Sequence, residues 1–179
     1  MIQTVISHPE GPLIIRTEQL EDYPAIRAIN ESAFETSAEA DLVAVLREQA
    51  QPIVSLVAEA AGKIVGHIML SPVDLLGYPD MRIMGLAPMA VSPSHQRKGI
   101  GSELVLSGFD ECRKLTFGAM VVVGHTDYYP RFGFLPGANF NLSCEYDVPE
   151  DVFMAIELQN GYLDDVSGQI RYHRAFNDL

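Results

Sequence analysis

A single α/β domain built around a mixed β-sheet is predicted by three features in the middle of the chain. Residues 83–91 are nearly all apolar, as in a strand covered on both faces, yet they contain Pro88, which cannot donate to a strand ladder. A bulge near residues 87–89 is the expected consequence, because the interrupted ladder leaves backbone groups of Met89 and Val91 without strand partners. A glycine-led helix comes next, and the apolar run 119–123 after it reads as a second buried strand. A helical crossover between two strands makes them parallel and right-handed.

The other elements assemble around these. Residues 1–12 read as a loose arm and 13–16 as the strand that opens a domain spanning 13–179. A helix follows, with Glu21, Asp22 and Pro24 in its acidic first turn and Tyr23, Ile26, Ile29 and Ala33 as its buried stripe. A loop at 34–37 leads to a second helix over 39–49 that buries Leu42, Val45 and Leu46. Residues 53–59 and 64–73 form a hairpin about Ala61-Gly62-Lys63, and 75–81 is a loop. The glycine-led helix runs to about Leu115 and buries Ile100, Leu104, Val105 and Cys112, with Gly108 permitting close approach. A short helix stopped by Gly133 comes next, then a loop at 144–149, an edge strand at 152–158, and a small strand and tail packed back onto the sheet from 161.

Composition narrows the function. The 179 residues carry a net charge of −12, which disfavours nucleic acid as a partner and permits a cationic substrate. No apolar run reaches membrane-spanning length, and the first dozen residues lack the basic-then-apolar order of a secretory leader. Two cysteines, Cys112 and Cys144, make no disulfide framework and no zinc spacing, so the reduced cytoplasm is the expected location and no metal is expected.

The string Gln96-Arg97-Lys98-Gly99-Ile100-Gly101-Ser102 carries the main chemical signal. Its glycines let consecutive N–H groups converge where the helix dipole is positive, and Arg97 and Lys98 add charge, so a pyrophosphate is the natural guest. An apolar strand, Val91-Ser92-Pro93 and Gln-x-x-Gly-x-Gly opening a helix together resemble motif A of the GCN5-related N-acetyltransferase (GNAT) superfamily, of the small stand-alone bacterial type. A second match lies at Tyr129-Pro130-Arg131-Phe132-Gly133-Phe134, where the family carries Tyr, three residues, Gly-Phe; Pro130-Arg131 departs from the residues usual after the tyrosine. The resemblance extends from about Leu13 to Leu158.

That resemblance implies a GNAT fold, with a bulged fourth strand, a V-shaped opening between the fourth and fifth strands for a linear cofactor arm, and the first two helices edging the acceptor pocket. It implies acetyl-CoA as cosubstrate, held by Met89, Ala90, Val91, Gln96, Arg97, Lys98, Gly99, Ile100, Gly101, Ser102 and Tyr129. The Met89 N–H would bind the thioester carbonyl, and the Tyr129 phenol would protonate the departing thiolate, with Tyr128 left to packing.

An amine must be neutral to attack, so a base is expected. Glu35 on the acceptor-side loop is the first candidate, and His67, Glu145, Asp147 or a water chain are the others; His67, alone in an apolar strand, also reads as a hydrogen-bonded core residue. The implied activity is acetyl transfer to a primary amine, on a small molecule or a protein, by direct attack in a ternary complex of a monomer or homodimer. A non-catalytic acyl-CoA sensor of the same fold is the alternative.

Overall fold

The computed structural model describes residues 3–7 and 11–178. Strands β1 (Gln3–Ile6), β2 (Leu13–Thr17), β3 (Val54–Ala60), β4 (Lys63–Leu75) and β5 (Ile83–Val91) form an antiparallel run in chain order. The chain then crosses through α3 (Ile100–Lys114) to β6 (Ala119–Val123), which lies parallel to β5. Further along are β7 (Leu135–Pro136), β8 (Leu142–Cys144), β9 (Phe153–Glu157) and β10 (Gly168–Arg171). The sheet continues from β6 to β9 and then β7, while β10 joins the far end of β4 and pairs with β8.

Alternation along the strands sends successive side chains to opposite faces, and both faces are covered. Leu56, Ala58, Ile68 and Leu70 pack with Ile100, Leu104, Val105 and Phe109 of α3. Val57 and Met69, one step out of phase, pack with Ile26 of α1 (Tyr23–Ala33) and with Leu42, Val43 and Leu46 of α2 (Ala38–Gln49). Burial on both sides explains why β3 to β5 read as continuous apolar runs. A Cβ at Gly108 would lie 3.2 Å from Leu70 Cδ1, so this glycine seats α3 tightly on the sheet.

Four expectations are corrected. Part of the expected arm, Gln3–Ile6, is an edge strand on β2, its exposed Val5 giving the mixed pattern of an outer strand; residues 1, 2 and 8–10 of that arm lie outside the described residues. Strand β9 is not an edge, because β7 pairs along its outer side. The loop expected at 144–149 begins inside β8, a strand too short to show alternation, which β10 holds in parallel register. In the second helix Leu42 and Leu46 are buried as expected, Val43 joins them, and Val45 is only half-buried at the edge of the stripe.

Polar contacts fix α1 and α2 against the sheet. Arg16 of β2 makes a bidentate pair with Asp22 (2.6 and 2.9 Å) and reaches Glu59 at 3.0 Å, and the guanidinium holds the Asp22 carboxyl below its ordinary range. Arg47 of α2 pairs with Glu18 at 2.7 and 2.8 Å and lies 3.6 Å over the Tyr23 ring. Both pairs are part-buried and bidentate, the geometry in which Arg–carboxylate contacts are strong.

Candidate active site

The bulge and the strand split occur on the same strand, β5. Ile68 faces Met89 and Leu70 faces Leu86, so three steps on β5 oppose two on β4, with the cis Ala87–Pro88 bond inside the extra residue's span. On its other side β5 pairs with β6 only at Ile83, Met84 and Gly85. Beyond Gly85 the β6-facing edge has no strand partner, and the two strands diverge into the expected V. One expected open group is taken: Gln96 Nε2 donates to the Val91 carbonyl at 3.0 Å.

The start of α3 closes one wall of this opening. Arg97 (φ 60°) and Gly99 (φ 87°) are both left-handed, which turns successive amides inward. The first α-helical bond runs from Glu103 N to Gly99 O at 3.1 Å, so the amides of Ile100, Gly101 and Ser102 stand free of the helix ladder. Such amides at a positive helix end, beside the exposed Arg97 and Lys98, bind anions.

A cleft of about 910 Å³ runs through the V. Met89, Val91, Gln96, Arg97, Gly99, Ile100, Gly101, Ser102 and Tyr129 line it, as do Phe34, Glu39 and Leu42 on the helix side. Two of the expected cofactor residues do not: Ala90 is buried in the sheet opposite His67, and Lys98 lies outside the lining.

None of the named base candidates lines the cleft. Glu35 is exposed on the loop after α1, one residue beyond the lining Phe34. His67 is fully buried on the α1 face, with Nε2 3.0 Å from Ser55 Oγ and Nδ1 3.4 Å from Asn30 Nδ2, and burial lowers its pKa from 6.5 to about 4. It is a neutral core residue. Glu145 accepts a hydrogen bond from Tyr172 N at 2.5 Å, and Asp147 is exposed on the same loop. Cys112 is likewise core, its thiol pushed up to about 12 by burial.

The tyrosine pair sits on the 3₁₀ turn Tyr129–Phe132, which Gly133 ends at φ 96°. Tyr129 is buried, edge-on to Phe134 with ring centroids 5.6 Å apart, and its ring fills the space a side chain on Gly124 would need. Burial, then the neighbouring Tyr128, pushes its phenol well above the ordinary value, so it stays protonated at neutral pH. Tyr128 does more than pack. It hydrogen-bonds the Ser102 side chain, and a Cβ built on Gly101 would lie 2.7 Å from its Oη. Arg131 holds it, Nε donating to the Tyr128 carbonyl at 2.9 Å and the guanidinium stacking 4.4 Å over the ring.

Sequence reasoning missed Tyr128 as a wall of the phosphate turn and Glu39 as a cleft residue. The Tyr128 contact joins residues about 26 positions apart and leaves no local trace. Glu39 enters the sequence reading only as the first residue of the second helix, because its place on the cleft depends on how that helix seats on the sheet.

The comparisons agree with this architecture. The model of the acetyltransferase (GNAT) family matches residues 16–134. YhbS of Escherichia coli K12, described as an uncharacterized N-acetyltransferase, is 36% identical over 166 residues, 92% of this chain and 99% of that one. YjhQ of the same strain, with the same description, is 40% identical over 134 residues, 73% of this chain and 74% of that one. Among solved structures, E. coli YhbS in complex with CoA superposes with a TM-score of 0.87 at 35% identity, covering 92% of each chain. A GNAT family acetyltransferase from Brucella melitensis in complex with acetyl-CoA gives 0.75 at 31% identity, covering 92% of this chain and 97% of that one. With motif A at the head of α3, the tyrosine turn beside it and the split sheet between them, the chain belongs to the GNAT family of acetyltransferases.

Proposed function

We propose that the protein is an acetyl-CoA-dependent N-acetyltransferase that passes the acetyl group directly to a primary amine in a ternary complex. The observation that carries this reading is the unpaired β6-facing edge of β5 beside the free amides that open α3. An extended amide-bearing arm and a pyrophosphate are what those two features together would bind. The two relatives crystallised with CoA and acetyl-CoA support the assignment of the ligand.

Roles for the chain's own residues follow. The amides of 100–102, with Arg97 and Lys98, would hold the pyrophosphate. Met89 N–H would donate to the thioester carbonyl as charge develops there, a preorganised contact of about 3 kcal/mol. The neutral amine nitrogen attacks the carbonyl carbon, the C–N bond forms, the C–S bond breaks with the electron pair leaving on sulfur, and the proton shed by nitrogen passes to water in the open cleft. Tyr129 Oη would donate to that sulfur. Because its pKa is pushed above the ordinary phenol value and the thiol's reference value is about 8.5, this role is a hydrogen bond that stabilises the departing thiolate, not a complete proton transfer. The cytoplasm is the location that the free cysteines suggest.

Thiol release from acetyl-CoA over a panel of primary amines tests the reading. The wild type should turn over at least one amine, and Tyr129→Phe should lower turnover by roughly a hundredfold with CoA affinity little changed. CoA binding without turnover on any amine would instead mark a sensor, and full turnover in Tyr129→Phe would return that residue to a wall.

A further inference from the structure

We propose that Glu39 receives the acceptor of this reaction, and that the acceptor presents a primary ammonium carried on an apolar carbon chain; this rests on the acetyltransferase reading above. Glu39 stands in the first turn of α2 and lines the cleft on its helix side, with Phe34, Leu42, Leu86 and Pro88. Arg97 and residues 99–102 of the cofactor turn form another part of the same lining.

One oxygen of this carboxylate, Oε2, is shut off from solvent and has no hydrogen-bond partner among the described residues. Leaving a buried acceptor unpaired is costly, and more so when it is charged, so a donor in the cleft that the side chain turns to meet gains what the free protein lacks. The arginines of α1 and α2 pair with other carboxylates. Arg27 pairs with Glu31 at 2.8 Å and Asp41 at 2.9 Å, and Arg47 with Glu18 at 2.7 Å. A metal ion does not fit, since among the described residues no group of three or more His, Cys, Asp or Glu could hold one.

The walls define the rest of the ligand. Phe34, Leu42 and Leu86 are apolar, so the group behind the ammonium is hydrocarbon for at least its first few carbons. An alkyl ammonium satisfies the carboxylate with N–H donors while its chain lies on these side chains. A neutral alcohol of the same shape supplies one donor and no charge, and charge-assisted hydrogen bonds are about twice as strong as neutral ones.

The experiment titrates n-butylammonium chloride, and n-butanol as its neutral counterpart, into the protein with and without saturating CoA, following amide shifts by NMR. The wild type should bind the ammonium at least tenfold more tightly than the alcohol. In Glu39→Gln, which keeps the shape and loses the charge, that preference should fall to within about twofold, and Glu39→Asp should keep part of it. Calorimetry with CoA on each variant reports that the fold is intact. Equal binding of the two probes by the wild type, no binding of butylammonium, or a preference that survives in Glu39→Gln would overturn the proposal. A charge preference dependent on Glu39 in a protein that fails to bind CoA would overturn the acetyltransferase reading and leave the ammonium site standing.

Discussion

His67 shows how far a residue's neighbours decide its chemistry. In the sequence it is a titratable group on a strand beside the bulge; in the fold it is enclosed by Asn30, Ser55 and the face of α1, with Glu18 Oε2 3.9 Å away. Burial outweighs the opposing pull of Glu18 and, with Arg47, keeps the ring neutral, with a pKa of about 4. The unfolded chain takes up a proton near pH 6.5 that the native state refuses, so stability should be full above that pH and decline as pH falls from about 6.5 toward about 4. The loss approaches about 3 kcal/mol at the lower end. Urea unfolding across this range should show the decline in the wild type and a shallower one in His67→Gln; identical slopes would mean that His67 is not the group responsible. Tyr129 has the opposite shift and the same cause. Its phenol is held protonated well past neutrality, so a falling limb at high pH belongs above the ordinary tyrosine range, not within it.

At the scale of elements, the head of α3 is where sequence and structure correspond most closely, because its features are local. Gly99 must be left-handed, Gly101 must lack a side chain, and the basic pair lies beside them, all within six residues. The structure changes the reason for Gly101. A side chain there would press on the Tyr128 hydroxyl before it met a phosphate, so Gly101→Val should displace the ring that walls the turn as well as crowd the ligand. CoA affinity measured by calorimetry should fall at least tenfold with the unfolding transition still cooperative, and unchanged affinity would mean that this turn does not cradle phosphate. Strand β5 was equally legible, since Pro88 within an apolar run allows few outcomes. Short elements were not: β7 and β8, of two and three residues, carry no periodicity, and only their partners β9 and β10 define them.

For the whole molecule, what the sequence disclosed was the cofactor half of the cleft, and what it concealed was the acceptor half. Phosphate and amide recognition uses backbone, which a dozen consecutive residues can specify. The side proposed for the acceptor joins Phe34 and Glu39 from one part of the chain to Leu86 and Pro88 from another, and their association depends on α1 and α2 seating on one face of the sheet. Glu35 stands out in the sequence by its place on the acceptor-side loop and Glu39 does not stand out at all, yet the turn between them puts the second, not the first, on the cleft. Among the described residues no helix is long and apolar enough to cross a membrane, and the sheet joins all ten strands.

A cleft built for acetyl-CoA must stabilise the fold when filled, and the thermal midpoint reads this most directly. Acetyl-CoA at a hundredfold excess over its dissociation constant should add about 2.7 kcal/mol, which for a chain of this size raises the midpoint by roughly 5–10 °C. NAD and ATP at the same concentration should add much less. Stabilisation by ATP with none by acetyl-CoA would contradict the assignment of the split sheet and the α3 turn to this cosubstrate.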